Sequence, residues 1–568
     1  MKIYILFLVL GFLSISCNSD KKPLSIQKDK QPNIMLIIVD DMGYSDLGCF
    51  GGEINTPQID KLAETGLIIT DFYVSPMCAP TRGMLMTGVD NHQNGMGEMP
   101  PFHKENQYLK DGYEGYMNNR VITIPEILRK HDYHTYMSGK WHLGAFDTNY
   151  YPSGRGFERS FAMMGGGSGF YQNAFPLAPM EKDVTFYVRD KNKVEELPDD
   201  FYSTKAFTDE MIKYIKEQKD DKPFFSYLAY TAPHDPLHAP AEYIEKYKGV
   251  YDNGYSAIKT KRLTQMKSKG LINKSMPSNP GTGKFPDWES LSEKEQKSQA
   301  RKMEIYAAMI DYMDNQIGRV IDALKEEDKY DNTIFIVMSD NGANPKEAIF
   351  YFLGDQELFS SQGFDNSFEN MGKTNSFVSQ GGAWAEVSET PFTYFKTTTG
   401  EGGIRAPLII SGAGIETTGI HNATMHVTDI LPTILSFAKV KRPKTYKNKE
   451  LKPLYGQSAA SFLKGESSII RDTESKPICF ELGEHKAVIK GEWKALMLQP
   501  PYTEVIKWEL FNLKSDPTEK TDVSASNPQK LEELIKIWNA YSKKYGYIEG
   551  EGEMQIKKIG AKAFYEFK

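Results

Sequence analysis

Two apolar runs in this chain each stop at a pair of oxygen donors. "NIMLIIVDD" ends in Asp40-Asp41, and "NTIFIVMSDNG" reaches Asp340-Asn341 three hundred residues later. An Asp or Asn after a strand often only caps the next turn. Two such pairs ending two apolar strands ask for more, because paired carboxylates repel each other unless a cation lies between them. Four hard oxygen donors, with no His or Cys spaced as a ligand cluster, suit Ca²⁺ or Mg²⁺ better than zinc. Two further runs end in chemistry. "HTYMSGKWH" carries Lys140 and His142, and "PFFSYLAYTAPH" ends in His234. His234 and His238 have the spacing of a helical zinc pair, but Pro236 between them argues against a helix. Cys78 stands in "SPMCAPTRGMLMTG", where the stretch from Arg82 reads as helix. That places the thiol at or near a helix N-terminus, where backbone N–H groups favour an anion.

Delivering these groups to one place requires a particular scaffold. Short apolar runs alternate with helical patterns, the mark of an α/β fold with a large, mostly parallel sheet. In an open sheet of that kind, ligands bind beyond the carboxyl ends of the strands. The 568 residues allow one large domain and a smaller one, and 40% apolar with 25% charged residues is ordinary for a globular protein. A net charge of −7 gives no basic footprint for nucleic acid. The four cysteines, Cys17, Cys49, Cys78 and Cys479, form no CxxC pair and no disulfide framework; Cys49 and Cys479 read as packing residues. At the start, Lys2 precedes an apolar run, Ile3 to Leu13, too short to span a membrane. Ser14-Ile15-Ser16-Cys17 then resembles a bacterial lipoprotein signal. On that reading residues 1–17 are a signal peptide, Cys17 carries a lipid anchor, 18–31 are a polar tether, and the protein is exported to the cell envelope.

Cys78-Ala79-Pro80-Thr81-Arg82, with Thr87-Gly88 behind it, resembles the sulfatase signature C-x-P-x-R…T-G. Gly139-Lys140-Trp141-His142-Leu143-Gly144 resembles the second signature of the same family. "GYSDLGCFGGEI", "GYEGYMNNRV", "RGFERSF" and "GGIRAP" are similar in particular to bacterial arylsulfatases of the pseudomonad type. The resemblance covers nearly the whole chain after the tether. It implies an alkaline-phosphatase-like sulfatase fold with a catalytic domain over 32–440. It implies also a C-terminal subdomain over 441–568, a four-stranded antiparallel sheet with a helix. "FELGEHKAVIKGEWKALML", "KWELFNLKSDPTEKTD" and "NPQKLEELIKIWNAYSKKYG" supply those elements.

The resemblance also implies chemistry. A maturation enzyme would oxidise Cys78 to Cα-formylglycine. One hydroxyl of its hydrate would attack the sulfur of a sulfate ester. The second would then reform the aldehyde and expel sulfate, dividing one hard step into two. Asp40, Asp41, Asp340 and Asn341 resemble calcium ligands, with the modified Cys78 completing the set. Arg82 resembles the residue that steadies the hydrate. Lys140 and Lys396 resemble the cations that hold sulfate oxygens, Lys396 by its distance from Gly402-Gly403-Ile404-Arg405. His234 resembles the general acid and His142 the base. The implied substrate is a sulfate monoester, an aryl sulfate or a sulfated glycan fragment. The alternative is a phosphonate or phosphate ester hydrolase of the same superfamily; a silent glycan-binding protein would require broken signatures, and these are intact.

Outside the motifs the reading is thinner. His92, after the signature helix, is a candidate to line the pocket. Residues 251–300 and 343–395 read as long loops that shape the substrate site. Tyr351, Phe352, Phe359 and Trp384 within the second are candidates to stack on a substrate ring or simply to pack.

Overall fold

A computed structural model describes residues 30–99, 102–179 and 185–554. The expected signal peptide, Cys17, nearly all of the expected tether and the last residues lie outside this set. Ten strands form the main sheet: β1 (Asn33–Val39), β2 (Leu67–Tyr73), β3 (His134–Lys140), β4 (Arg159–Met163), β5 (Tyr187–Arg189), β6 (Asn192–Lys193), β7 (Phe224–Ala229), β8 (Thr333–Ser339), β9 (Leu408–Gly412) and β10 (Gly419–His426). Their order is β10-β2-β9-β8-β1-β7-β3-β4-β5-β6. The centre, β8-β1-β7-β3-β4, is parallel throughout, and β9 runs antiparallel between β8 and β2.

Central parallel strands are buried on both faces, so they carry continuous apolar runs. Every residue of β1 and β8 is buried. Met35, Ile37 and Val39 face one side, with the Ser203–Glu217 and Glu293–Glu326 helices packed there. Ile34, Leu36 and Ile38 face the other, against the Cys78–Thr87 and Ile430–Phe437 helices. Each such Ile or Leu contributes roughly 2 kcal/mol of hydrophobic stabilisation. The result is three layers, helices on both faces of a mostly parallel sheet.

A separate antiparallel sheet consists of Ile478–Leu482, His485–Lys490, Trp493–Met497 and Trp508–Asn512, each hydrogen-bonded to the next. Alternation sends Phe480, Ala487, Ile489 and Leu496 toward Tyr73 and Ile404 of the main body. Cys479, Val488 and Ala495 face the Pro528–Tyr545 helix through Leu534, Trp538 and Tyr541.

Of the two regions expected to be loops, the first is about half helical and the second is mostly irregular backbone with a few short helices. Residues 251–300 contain a sixteen-residue helix, Gly254–Lys269, and the start of the long Glu293–Glu326 helix. The first escapes an apolar-periodicity reading because one of its inward positions is an arginine: Gly254, Ile258, Arg262, Leu263 and Met266 are the buried set. Arg262 is held by Asp46 at 2.5 Å and Glu53 at 2.7 Å. Residues 343–395 contain short helices at Ala348–Phe352, Gln356–Ser361 and Gly382–Ser388.

Candidate active site

Four neighbouring parallel strands empty onto one edge. β8 delivers Asp340 and Asn341, β1 delivers Asp40 and Asp41, β7 leads to His234, and β3 ends in Lys140 with His142 beyond. β2 leads to Cys78, the first residue of its helix, with Met77 as the N-cap. Lys396 arrives from the opposite direction. It precedes β9, which runs antiparallel, so its loop lies on the edge where the parallel strands end. Lys396 N–H donates to the Ala343 carbonyl at 3.1 Å, and Thr397 N–H to that of Pro76 at 2.8 Å. The loop is thereby pinned to the Asp340 turn on one side and the Cys78 turn on the other.

All ten predicted site residues meet in one buried cluster. Lys140 Nζ donates to Asp40 Oδ2 at 2.6 Å. Lys396 Nζ donates to both oxygens of Asp41, at 2.6 and 2.8 Å. Arg82 Nε donates to Asp340 Oδ2 at 2.8 Å, and its Nη1 to the Lys140 carbonyl at 3.1 Å. Asn341 Nδ2 donates to Asp41 Oδ1 at 2.7 Å. His234 Nε2 lies 3.3 Å from Asp41 Oδ2, while its Nδ1 meets the Asp235 carbonyl at 2.8 Å. A carbonyl can only accept, so Nδ1 carries the proton and Nε2 faces the acids. His142 Nδ1 lies 3.4 Å from the Cys78 sulfur.

The backbone is strained where the chemistry would be. Asp41 (φ 64°) and His142 (φ 58°) adopt left-handed conformations. Such positions cost about 1–3 kcal/mol each and persist only where the surroundings over-determine them. Asp41 is held by its N–H to Asp340 Oδ1 at 3.3 Å and by Tyr306 donating to its carbonyl at 3.3 Å.

Burial and the neighbouring charges together shift the titration of these groups. Burial pushes the Asp41 carboxyl up, but His234, Lys396 and Lys140 outweigh it and hold the pKa below the usual value. Burial and the neighbouring Asp40 raise that of Asp340. Burial, then the positive charges of Lys140, Arg82 and Lys396, keep His142 neutral far below its ordinary pKa. Burial lowers His234 too, against the pull of Asp41. Burial raises the Cys78 thiol despite Lys140 and Lys396, so an unmodified Cys78 is a poor thiolate nucleophile here.

The donor set fits a hard cation. Asp40 Oδ1 and Asn341 Oδ1 are buried acceptors without a hydrogen-bond partner. Such orphans are costly unless something satisfies them. Asp40, Asp340 and the Cys78 sulfur each offer an atom within 4.8 Å of the others, and so do Asp40, Asp41 and His234. His238 is occupied elsewhere: its Nδ1 accepts from Phe170 N–H at 3.2 Å and its Nε2 donates to the Ser376 carbonyl at 2.8 Å.

Several neighbours escaped the sequence reading. Gly166 and Gly167 follow β4, and a Cβ on them would come within 3.2 Å of the His142 ring and 3.4 Å of the His234 ring respectively. The run "MGGGSG" was the available signal. Gly342 backs onto Gly402, where a Cβ would stand 2.0 Å from the Gly402 carbonyl oxygen. Glu389, fully buried, accepts from Ala343 N–H and, at 3.4 Å, from Tyr44 N–H, so it ties the two acid turns together. Nothing in its local sequence marks it. Among the proposed ring-stackers, Tyr351 alone lies beside the site, its ring 6.3 Å from that of His234. Trp384 packs in the core against Tyr251, Tyr255 and Trp288, while Phe352 and Phe359 pack with Phe364 and Phe377. His92 does not line the site; it is buried between Asp90 and Glu481.

Comparison with known proteins agrees with this geometry. The family model described as Sulfatase matches residues 32–440. The chain is 42% identical over 436 residues to an arylsulfatase of Klebsiella aerogenes, covering 76% of this chain and 92% of that one. It is 37% identical over 549 residues to an uncharacterized sulfatase of Schizosaccharomyces pombe, covering 94% and 97%. The crystal structure of Ps i-CgsB matches with a TM-score of 0.63 at 25% identity, covering 90% of this chain and 93% of that one. That of PsFucS1 sulfatase from Pseudoalteromonas sp. shares the fold with a TM-score of 0.61 at 20% identity. With the acids, cations and histidines gathered around Cys78, this chain belongs to the sulfatase family and is a sulfatase.

Proposed function

We propose that the enzyme hydrolyses sulfate monoesters through a Cα-formylglycine made from Cys78, with one calcium ion bound by Asp40, Asp41, Asp340 and Asn341. The observation that carries the reading is the pair of orphaned acceptors, Asp40 Oδ1 and Asn341 Oδ1, in the cluster that includes Cys78. When bound, the ion supplies positive charge that polarises sulfate oxygens and acidifies a nearby hydroxyl. The side chains do the rest. Lys140 and Lys396, each held by one acid, present ammonium groups to sulfate oxygens as their charge shifts. Arg82 fixes Asp340 and, through the Lys140 carbonyl, the end of β3. His142, kept neutral and facing position 78, takes the proton of its hydroxyl. His234 keeps its Nδ1 proton on the Asp235 carbonyl and offers Nε2 to the leaving oxygen. An anionic ester arriving beside His234 raises its proton affinity, so substrate binding charges the acid that the leaving group needs.

The 42% identity to an arylsulfatase supports aryl sulfates as test substrates. The natural ester is a sulfated glycan fragment in our reading, met by an exported protein with a lipid anchor at Cys17. The amino-terminal "MKIYILFLVLGFLSISC" supports that location. The catalytic domain spans 32–440 and the C-terminal subdomain and tail 441–568. The test is mass spectrometry of the tryptic peptide ending at Arg82, paired with hydrolysis of para-nitrophenyl sulfate and an aryl phosphonate. An aldehyde at position 78 in protein that prefers the sulfate supports the reading. A free thiol in fully active protein overturns the formylglycine mechanism, and a preference for the phosphonate overturns the substrate class.

A further inference from the structure

The mouth of the site has a feature that the sulfate chemistry does not use. Lys346 follows the Asp340 turn by a few residues, and its ammonium lies 4.7 Å from the centre of the Phe350 ring and 6.0 Å from that of Tyr502. It makes no ion pair with a carboxylate among the described residues. The neighbouring contacts place it at the site. Asn344 Nδ2 donates to Asp235 Oδ2 at 2.9 Å, next to His234. On the other side, Tyr502 packs on Phe395 with ring centres 5.6 Å apart, and its hydroxyl lies 3.4 Å from that of Thr397, so it flanks Lys396. Phe102 adds a ring 6.4 Å from Phe350.

The two segments that meet at Lys346 are unusually apolar for a surface. Phe350 and Leu353 are 39% and 51% exposed, and Val505 and Ile506, in the same loop as Tyr502, are 64% and 53% exposed. Apolar groups exposed on the two segments that carry the Lys346 contacts mark a candidate binding surface. Here two aromatic faces flank a cation that forms no ion pair with a carboxylate among the described residues. Aromatic faces suit the C–H faces of a sugar ring, and a free ammonium suits a sulfate or carboxylate. In a chain of net charge −7, a polyanionic substrate needs a local cation to approach.

We propose that Lys346, Phe350 and Tyr502 form an outer subsite that binds the sugar beside the sulfated one when that neighbour carries a second anionic group. This rests on the ester-hydrolase reading above and names its substrate class: polyanionic glycans, with the neighbour's charge supplied by a sulfate or a uronate. Tyr502 comes from the loop between the Trp493–Met497 and Trp508–Asn512 strands of the C-terminal sheet and Lys346 from the catalytic domain, so both parts of the chain select the substrate.

The test compares wild type with Lys346→Met, which keeps the apolar stem, and Tyr502→Ala. The substrates are para-nitrophenyl sulfate, a sulfated monosaccharide, and oligosaccharides whose neighbouring sugar carries a sulfate, a uronate or no charge. For Lys346→Met we expect kcat/KM on the charged oligosaccharides to fall about tenfold, the loss of one charge-assisted contact, mostly through KM. On the aryl sulfate, which carries no second anionic group, the change stays within about twofold, and the salt dependence of oligosaccharide cleavage flattens. A sulfate arm that falls while the uronate arm does not, or the reverse, identifies the source of the charge. Equal losses on all substrates, no loss on the charged ones, or a wild-type preference for the uncharged neighbour would overturn the subsite. Calorimetric binding of the same oligosaccharides to Cys78→Ala protein, with and without Lys346→Met, reads the subsite without turnover. Intact Lys346-dependent binding with no sulfate released by wild type from any of these esters would sink the proposed ester mechanism alone.

Discussion

The Cys78–Thr87 helix has a buried ionic network at each end, and the two are built on opposite rules. At its start, Asp40, Asp41, Asp340, Arg82, Lys140 and Lys396 crowd together with two acceptors unsatisfied and two residues in left-handed backbone. Past its end, Asp90, His92, Glu481 and Tyr541 form a closed set. His92 Nδ1 meets Asp90 Oδ1 at 3.0 Å, its Nε2 meets Glu481 Oε2 at 2.8 Å, and Tyr541 donates to Asp90 Oδ2 at 2.7 Å. None of these four leaves a buried polar atom without a partner. Burial works against an imidazolium there, but the hydrogen bonds and charges of Asp90 and Glu481 outweigh it and push the His92 pKa up to about 10. The closed network joins the catalytic body to the C-terminal sheet and helix. The open one is left incomplete for something else to complete. Burial alone therefore does not separate a functional charge cluster from a structural one; these two differ in the orphaned acceptors of Asp40 and Asn341 and in the left-handed backbone at Asp41 and His142.

Four substitutions or titrations can break this contrast. Asp340→Asn should lower kcat on an aryl sulfate by about a thousandfold or more while leaving the protein folded, because it removes one charge from a crowded acid group. Calcium should raise the melting temperature of wild type and not of this variant. Glu481→Gln should do the reverse. It leaves the His92 imidazolium half-paired in a dry setting and should cost about 3 kcal/mol of stability, with kcat per folded molecule unchanged. Denaturant unfolding and active-site-normalised kinetics measure the two. If Glu481→Gln abolished activity in fully folded protein, the closed network would not be merely structural. Gly166→Ala should fall between these. Its new Cβ meets the His142 ring at 3.2 Å and should lower kcat about tenfold, or 1.4 kcal/mol, with little loss of stability.

The remaining effect is a pH slope. His92 binds its proton more tightly folded, with a pKa of about 10, than unfolded at 6.5. Its stabilisation is fully present below about pH 6.5 and fades as the pH rises toward 10. The Glu98 carboxyl, pushed up to about 8 by burial and by Glu481, adds a slope of the same sign. Melting temperatures measured from pH 7 to 10 should decline, and His92→Gln should flatten the decline. An unchanged slope in the variant would mean that His92 is neutral in the folded protein.

Much of the site was legible along the chain. β1 and β8 are apolar on both faces because they lie in the middle of a parallel sheet, and the first polar residues after them must stand at its carboxyl edge. That is enough to bring Asp40, Asp41, Asp340 and Asn341 together, and the two signatures add Cys78, Arg82, Lys140 and His142. Short-range pattern also announces alternating strands in the C-terminal region and the helix starting at Pro528, while the count of four strands came from the resemblance. Lys396 stood apart, placed only by its distance from Gly402-Gly403. Its position depends on β9 running antiparallel, a fact of sheet topology that no local spacing encodes.

What the tertiary structure alone decided is of that same kind. Arg262 sits where the apolar stripe of its helix should continue, because Asp46 and Glu53 from another part of the chain make a buried guanidinium affordable. Glu389 joins two turns that lie far apart in sequence, His92 finds Glu481 almost four hundred residues away, and Tyr502 reaches Lys346 across the two parts of the chain. The sequence by itself determined which groups reach the edge of the sheet, since burial on both faces of a strand is written in consecutive residues. Which loops meet there, and which charges are left without a partner, follows from packing between distant segments, and one strand's pattern carries no record of its neighbours.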